Sequence, residues 1–341
     1  MSFQRTLIIA EAGVNHNGSV DIALEMVDVA VKAGADIIKF QTFVPELTVI
    51  ETAQQAEYQK QNIGKATSQL EMLSKLTLTF AEHQRVADYC RSKGIEYLST
   101  AFDLVSLQEL LKLGVARLKI PSGEITHWPL LAASANTKLP IILSTGMANL
   151  DEVQAAYNTL IEQGAMADSI TVLHCNTQYP TPIDDVNLCA MNTIEKELDV
   201  KVGYSDHTLG IEVALAAVAR GACVIEKHFT LDKNMEGPDH KASLSPQELY
   251  ELVAGIRRIE KILGKDEKGV TESEVGNKHI ARKYLVAKSD IRKGEQFTPD
   301  NLIAKRIGYE GVSPMLWPRI IGQVAKRNLV ADEVIQMQDL E

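Results

Sequence analysis

Two histidines stand at matching places in one stretch, VGYSDHTLGIEVALAAVARGACVIEKHFTLDKNMEGPDH, residues 202–240. His207 follows Asp206, and His228 follows Glu226-Lys227. Each stands at the end of a strand-like run, Lys201–Tyr204 and Cys223–Phe229, and an apolar helical stretch joins the two. A strand–helix–strand unit sets its strands parallel and adjacent, so both C-terminal ends open on one side. The two imidazoles then converge, and with carboxylates beside them they suit a divalent transition metal. The other reading is two separate histidines, each bonded to backbone.

Lys39 and Lys119 each follow apolar residues in strand-like runs, where a charge is costly without a partner. The partner can be a carboxylate, such as Glu11 or Glu124. It can also be a bound phosphate, with the hydroxyls of Ser99, Thr100, Ser122 and Ser144 completing the cradle. Phosphate binding is the favoured reading. A Schiff-base lysine ranks last, because a metal pair and an amine nucleophile would both activate a carbonyl. Each strand-like run is followed by further polar groups, such as Asn15-His16-Asn17, Asp103, Asn176-Thr177 and Asp239-His240, which together make a polar rim suited to sugar hydroxyls. Lysines for an anion, a metal, several carboxylates and a polar rim together suit carbon–carbon bond formation between an enol phosphate and an aldehyde.

Positioning these groups takes a scaffold with many strand ends on one face. Eight short apolar runs supply it: Leu7–Ala10, Ile37–Phe40, Tyr97–Ser99, Arg117–Ile120, Ile141–Ser144, Thr171–His174, Lys201–Tyr204 and Cys223–Phe229. Helical periodicity lies between most of them, and Gly34, Gly94, Gly114 and Gly221 fall where helices should stop. Ser245-Pro246-Gln247-Glu248 is a capping box that opens a further helix. The expected fold is α/β, a (β/α)8 TIM barrel over residues 1–264. An open doubly wound sheet is the alternative, but its dinucleotide glycine fingerprint does not follow the first strand. Residues 265–281 are polar and read as a linker. Residues 282–341 read as a small β-rich domain.

Composition excludes several classes. The chain has 341 residues, 45% hydrophobic and 23% charged, with a net charge of −10. That is an ordinary globular composition, and its sign argues against nucleic-acid and anionic-membrane partners. The four cysteines form no CxxC pair and read as reduced, cytoplasmic thiols. No apolar run is long enough to span a membrane, and the first residues do not read as a signal peptide.

IAEAGVNHNG, KFQT, KIPSGE, LSTGM, HCNTQYPTP, GYSDHT, EKHFT and GPDHKAS follow one another at successive strand ends. Together they resemble the sialic acid synthase (N-acetylneuraminate synthase) family over nearly the whole chain. DIRKGEQFTPDNLIAKR resembles that family's C-terminal antifreeze-like (SAF) domain. The resemblance implies metal-dependent condensation of phosphoenolpyruvate with open-chain N-acetylmannosamine, giving a 2-keto acid and phosphate by C–O cleavage. The alternative within the same motifs is a related nonulosonic acid synthase, such as one making N,N'-diacetyllegionaminate from a 2,4-diacetamido-2,4,6-trideoxymannose. It also implies a domain-swapped homodimer whose tail domain lids the partner's barrel.

Residue by residue, the resemblance implies His207 and His228 as metal ligands, with manganese expected and cobalt or magnesium able to serve. It implies Lys39, Thr100, Lys119, Ser122, Ser144 and Ser205 as phosphoenolpyruvate contacts. Glu11, Glu124 and Glu226 match catalytic carboxylates. Gln41, Tyr179 and Asp239, to which Asn176 is added, match amino-sugar contacts, with Arg306 reaching the sugar in trans. Three segments depart from the family pattern. STPF is here Ser99-Thr100-Ala101-Phe102, RPGNG after the tail arginine is Ile307-Gly308-Tyr309-Glu310-Gly311, and RKS is Arg282-Lys283-Tyr284. Two other classes compete: a metal-dependent barrel hydrolase or isomerase, which leaves the strand-end lysines unexplained, and a non-catalytic carbohydrate- or ice-binding protein, suggested by the tail alone.

Overall fold

The eight apolar runs form eight parallel strands: β1 Leu7–Gly13, β2 Ile37–Thr42, β3 Glu96–Ala101, β4 Leu118–Ile120, β5 Ile141–Ser144, β6 Ile170–Cys175, β7 Lys201–Asp206 and β8 Val224–His228. Each pairs with its neighbour in sequence, and β1 pairs with β8, which closes the barrel. This is a computed structural model, and it describes residues 5–63 and 68–340.

Strand parity separates core from chemistry. Side chains alternate across a strand, so residues two apart share a face. Ile9, Ile37, Leu98, Ile142, Leu173 and Val224 meet in an apolar cluster inside the barrel. Two residues further along the same strands stand Glu11, Lys39, Thr100, Ser144, Cys175 and Glu226. The interior therefore turns from hydrocarbon to polar groups within one pleat, at the C-terminal face where barrel sites form. On β7 the position beside Leu173 and Val224 is Gly203, where a Cβ would stand 2.5 Å from the Val224 carbonyl oxygen and 2.6 Å from Leu173 Cδ2. Only glycine leaves room there.

Between strands and outer helices lies the larger core, which includes Met26, Val27, Phe40, Leu107, Ile225 and Leu249. The helices stop as the sequence dictates. Gly34 and Gly94 adopt left-handed caps, and Gly114 and Gly221 take positive φ just after their helices. Ser245 and Glu248 make the expected capping box of the helix Pro246–Leu263.

The chain divides into two compact units, Met1–Lys265 and Asp266–Glu341. The stretch read as a linker contains a helix, Glu272–Ala281, begun where Glu274 accepts from the Thr271 backbone amide. The second unit holds the antiparallel pair β9 Lys283–Ala287 and β10 Leu302–Arg306. Its own core includes Leu285, Phe297, Leu302 and Ile335. No described helix is long and apolar enough to cross a membrane.

Candidate active site

A cavity of about 710 Å³ opens over the polar strand ends of the first unit. Its floor is a cluster of two cations and two carboxylates. Lys39 Nζ lies 2.8 Å from Glu11 Oε1, 2.9 Å from Thr100 Oγ1 and 3.8 Å from Glu226 Oε1. Lys119 Nζ lies 2.8 Å from Ser144 Oγ and 3.3 Å from Glu226 Oε1. All four charged groups are buried. The two expectations for the lysines therefore meet at one place, since internal ion pairs form among the hydroxyls that would cradle a phosphate.

Burial opposes charge here, and the neighbours decide the outcome. Burial of Glu226 favours its neutral form, but Lys119 and Lys39 outweigh it and hold the carboxyl below its usual range. Burial of Glu11 wins over Lys39 and raises its proton affinity. One oxygen of each carboxylate, Glu11 Oε2 and Glu226 Oε2, is buried without a partner among the described residues. Such atoms cost free energy unless something binds them, so they are polar positions for a ligand.

The two histidines do converge. Their ring centroids are 5.5 Å apart, and the Tyr179 ring packs 4.0 Å from that of His207 and 5.6 Å from that of His228. Burial keeps both neutral, with His207 pushed down to about 4 and His228 well below its ordinary value. His207 Nδ1 faces the Asn176 carbonyl, which only accepts, so Nδ1 carries the proton and Nε2 keeps its lone pair. Ser205 Oγ lies 3.4 Å from that Nε2 but directs its proton to Glu226 Oε1 at 3.1 Å. His228 Nδ1 is buried without a partner among the described residues. Two neutral imidazoles, that of His207 with its Nε2 lone pair set by the Asn176 bond and that of His228 with an unengaged Nδ1, fit a divalent cation. The described residues contain no cluster of three or more His, Cys, Asp or Glu placed to hold a metal, so the fit is to a two-histidine set completed by water and substrate.

Other expected residues divide. Gln41, Ser122, Glu124, Tyr179, Ser205 and Asp239 line the same cavity. Gln41 Nε2 reaches Glu11 Oε1 at 3.4 Å, Ser122 Oγ accepts from Gly146 N at 2.9 Å, and Glu124 is engaged by His127 Nδ1. Burial raises the Asp239 carboxyl to about 6. Asn176 is not among the lining residues. Its carbonyl serves His207, and its side-chain oxygen accepts from Gln178 N at 2.7 Å. Arg306 lies in the second unit, exposed at the end of β10.

Several strand-end groups turn out to be scaffold. Asp103 caps the helix Leu104–Lys112 through Ser106 N at 2.7 Å, and His174 bonds the Val186 carbonyl. Asp206, read as a carboxylate close to the metal, faces away from the cavity and pairs with Lys227. Sequence reasoning missed one wall altogether. Phe43, Met72, Leu73 and Leu76 line the cavity from the segment after β2, which carries the helices Pro45–Thr48, Glu57–Ile63 and Gln69–Leu76. The signal was present in Ser68 and its partner Glu71, whose backbone amide Ser68 caps at 3.1 Å.

Residues 26–268 match the NeuB family, and residues 282–341 match the SAF domain. The chain belongs to the NeuB family. It is therefore an enzyme of the sugar-acid synthase type, with a SAF domain following the barrel in sequence. It is 49% identical to N,N'-diacetyllegionaminic acid synthase of Campylobacter jejuni, over 98% of this chain and 99% of that one. It is 45% identical to the protein of the same name from Legionella pneumophila, over 98% and 94%. Among solved structures it resembles N-acetylneuraminic acid (sialic acid) synthetase of Leptospira borgpetersenii, crystallised with citrate, at 35% identity and a TM-score of 0.69. That match covers 79% of this chain and 88% of the other.

Proposed function

We propose that this NeuB-family chain condenses phosphoenolpyruvate with the open-chain form of a 2,4-diacetamido-2,4,6-trideoxymannose and consumes one water, which adds at the ester carbon so that the C–O bond to phosphate breaks, releasing phosphate and forming N,N'-diacetyllegionaminate. The observation that carries the choice of sugar is the near full-length identity, 49% and 45%, to two proteins named for that product. N-acetylmannosamine, the first expectation from the motifs, is the less well supported acceptor, because the sialic acid synthetase stands at 35%.

The floor of the cavity supports the anion half of the reaction. Burial already raises the proton affinity of Glu11, so an arriving anion favours its protonation, and the two lysines then face one ionised carboxylate with net positive charge to hold the anion. That charge holds a phosphate, and Thr100, Ser122, Ser144 and Ser205 contribute hydroxyls. Lys39 and Lys119 then neutralise the phosphate as it leaves. Glu124, held by His127 on the cavity wall, is placed to stabilise positive charge at the ester carbon when the enol attacks. His207 and His228 would hold a divalent cation, manganese in this proposal with cobalt or magnesium as substitutes, which would supply Lewis acidity at the sugar aldehyde. Gln41, Tyr179 and Asp239 orient the sugar. The four free cysteines support a reducing, cytoplasmic setting.

The test is formation of 2-keto acid from phosphoenolpyruvate with each sugar, with and without chelator. The diacetamido sugar should exceed N-acetylmannosamine in kcat/KM by about tenfold or more, the scale on which a pocket discriminates single substituents. Equal or better use of N-acetylmannosamine overturns the sugar assignment. No keto acid from any sugar overturns the reaction class.

The proposal includes a domain-swapped homodimer in which Arg306 acts on the partner's barrel. An arginine can give a sugar two parallel bonds while a lid excludes water. Arg306→Ala should lower turnover or sugar affinity without unfolding the barrel. Mixing it with a Glu226→Gln chain should recover part of the activity, because one site of the hybrid then holds both groups. No recovery after confirmed subunit exchange removes the trans role.

A further inference from the structure

Behind the two histidines lies a charged pair that faces away from the cavity. Ser205 and Glu226 line the cavity, so parity turns their neighbours Asp206 and Lys227 to the outer face, directly opposite one another in the β7–β8 register. There the Lys227 ammonium lies 2.7 Å from Asp206 Oδ2, with side-chain exposures of 1% and 0%. The same ammonium donates to the Thr208 carbonyl at 2.9 Å. Asp206 Oδ1 accepts from Thr208 N at 2.9 Å and from Thr208 Oγ1 at 2.7 Å. His207 sits between Asp206 and Thr208, and His228 follows Lys227. One ion pair therefore ties the backbone on both sides of His207 to the strand that carries His228. The His207 carbonyl accepts from Thr181 N at 2.9 Å, and the Asn176 carbonyl fixes its ring.

Stability does not explain this pair. Two charges taken out of water lose hydration that their mutual attraction barely restores, and apolar residues of similar volume are often as stable or more so. What an apolar pair lacks is direction. The ion pair and its three bonds to Thr208 admit one placement of the two strand ends, whereas methyl groups pack in several.

We propose that Asp206 and Lys227 are positioning residues for the histidine pair, locking the ends of β7 and β8 in the arrangement that lets His207 and His228 share a divalent cation. The inference rests on the metal reading given above and extends it to residues that touch neither metal nor substrate.

The distinguishing variant is the double substitution Asp206→Asn with Lys227→Met, which removes both charges and strands neither. Its melting temperature should stay near the parent's, since no buried charge is left unpaired. Its affinity for Mn2+ alone, measured by titration calorimetry, should fall by about ten- to hundredfold, the usual effect of losing groups that orient metal ligands. A purely structural role would move the melting temperature and leave the affinity alone. Thr208→Val removes a single bond and keeps the charges paired, so it carries the test should the double variant not fold. It should weaken Mn2+ binding in the same direction. Parent-like Mn2+ affinity in the folded double variant, or in Thr208→Val where only that variant folds, overturns the positioning role. If the parent binds Mn2+ and His228→Ala does not, the metal reading stands whichever way the double variant behaves. A parent that binds no Mn2+ removes both.

Discussion

Replacing His228 with alanine is expected to cut turnover by roughly a hundredfold or more, since Lewis-acid stabilisation is worth several kcal/mol and about 1.4 kcal/mol is tenfold in rate. The described residues offer a two-histidine set with no cluster of three or more ligands around it. Losing one imidazole halves the protein's share of the coordination, and among the described residues no third His, Cys, Asp or Glu is placed with the pair to hold a metal. The barrel itself should stay folded. His228 Nδ1 has no hydrogen bond to lose among the described residues, whereas the His228 main chain keeps its bond from Leu244 N at 2.8 Å. The check is a pair of measurements: an unchanged thermal melt, and turnover that excess Mn2+ fails to restore in the variant. In the parent, chelation should abolish turnover and added Mn2+ should bring it back. Full turnover in excess chelator would sink the metal reading.

The barrel was legible because its signals are local and repeated. Eight short apolar runs, helices between them and glycines at the helix ends each follow from one chain segment, and closure follows from their number and order. Chemistry was legible for the same reason. Parity places Glu11 two residues after Ile9, and Lys39 two after Ile37, so a polar residue past an apolar one on the same face marks the open end of the barrel. Partner choice was not legible. Nothing in the spacing says that Lys39 takes Glu11 while Lys119 takes Glu226, because that depends on side-chain reach across a closed barrel. Asp206 was misjudged for a different reason. It sits between Ser205 and His207, and counting faces along β7 would have turned it outward. The wall from Phe43, Met72, Leu73 and Leu76 was missed because its helices are short and lie outside the strand–helix alternation. Asn176 was read from its side chain, whereas the structure uses its main-chain oxygen.

Lys119→Met should weaken phosphoenolpyruvate binding by about ten- to hundredfold, because a charge-assisted bond contributes roughly 1.5–3 kcal/mol and about 1.4 kcal/mol is tenfold in affinity. Methionine keeps the length of the stem through β4 and removes only the ammonium, so the loss reports charge more than packing. The two lysines are not equivalent in this respect. Lys39 has Glu11 at 2.8 Å and Glu226 at 3.8 Å, and these carboxylates, overcoming its burial, raise its proton affinity. Lys119 meets Glu226 at 3.3 Å, and burial outweighs that attraction, leaving its charge less well compensated within the protein. The less compensated cation gains more from an arriving anion, so Lys119→Met should cost more phosphoenolpyruvate affinity than Lys39→Met. Glu226 keeps Ser205 and Lys39 in the first variant, which limits the destabilisation from an unpaired buried carboxylate. Sugar affinity should change little, since the ammonium touches Ser144 and Glu226 on the floor of the cavity. Binding of phosphoenolpyruvate to both variants, followed by calorimetry beside thermal melts, decides the matter. Wild-type affinity in both would make the lysines parts of the barrel's internal ion-pair network and rule them out as the anion site.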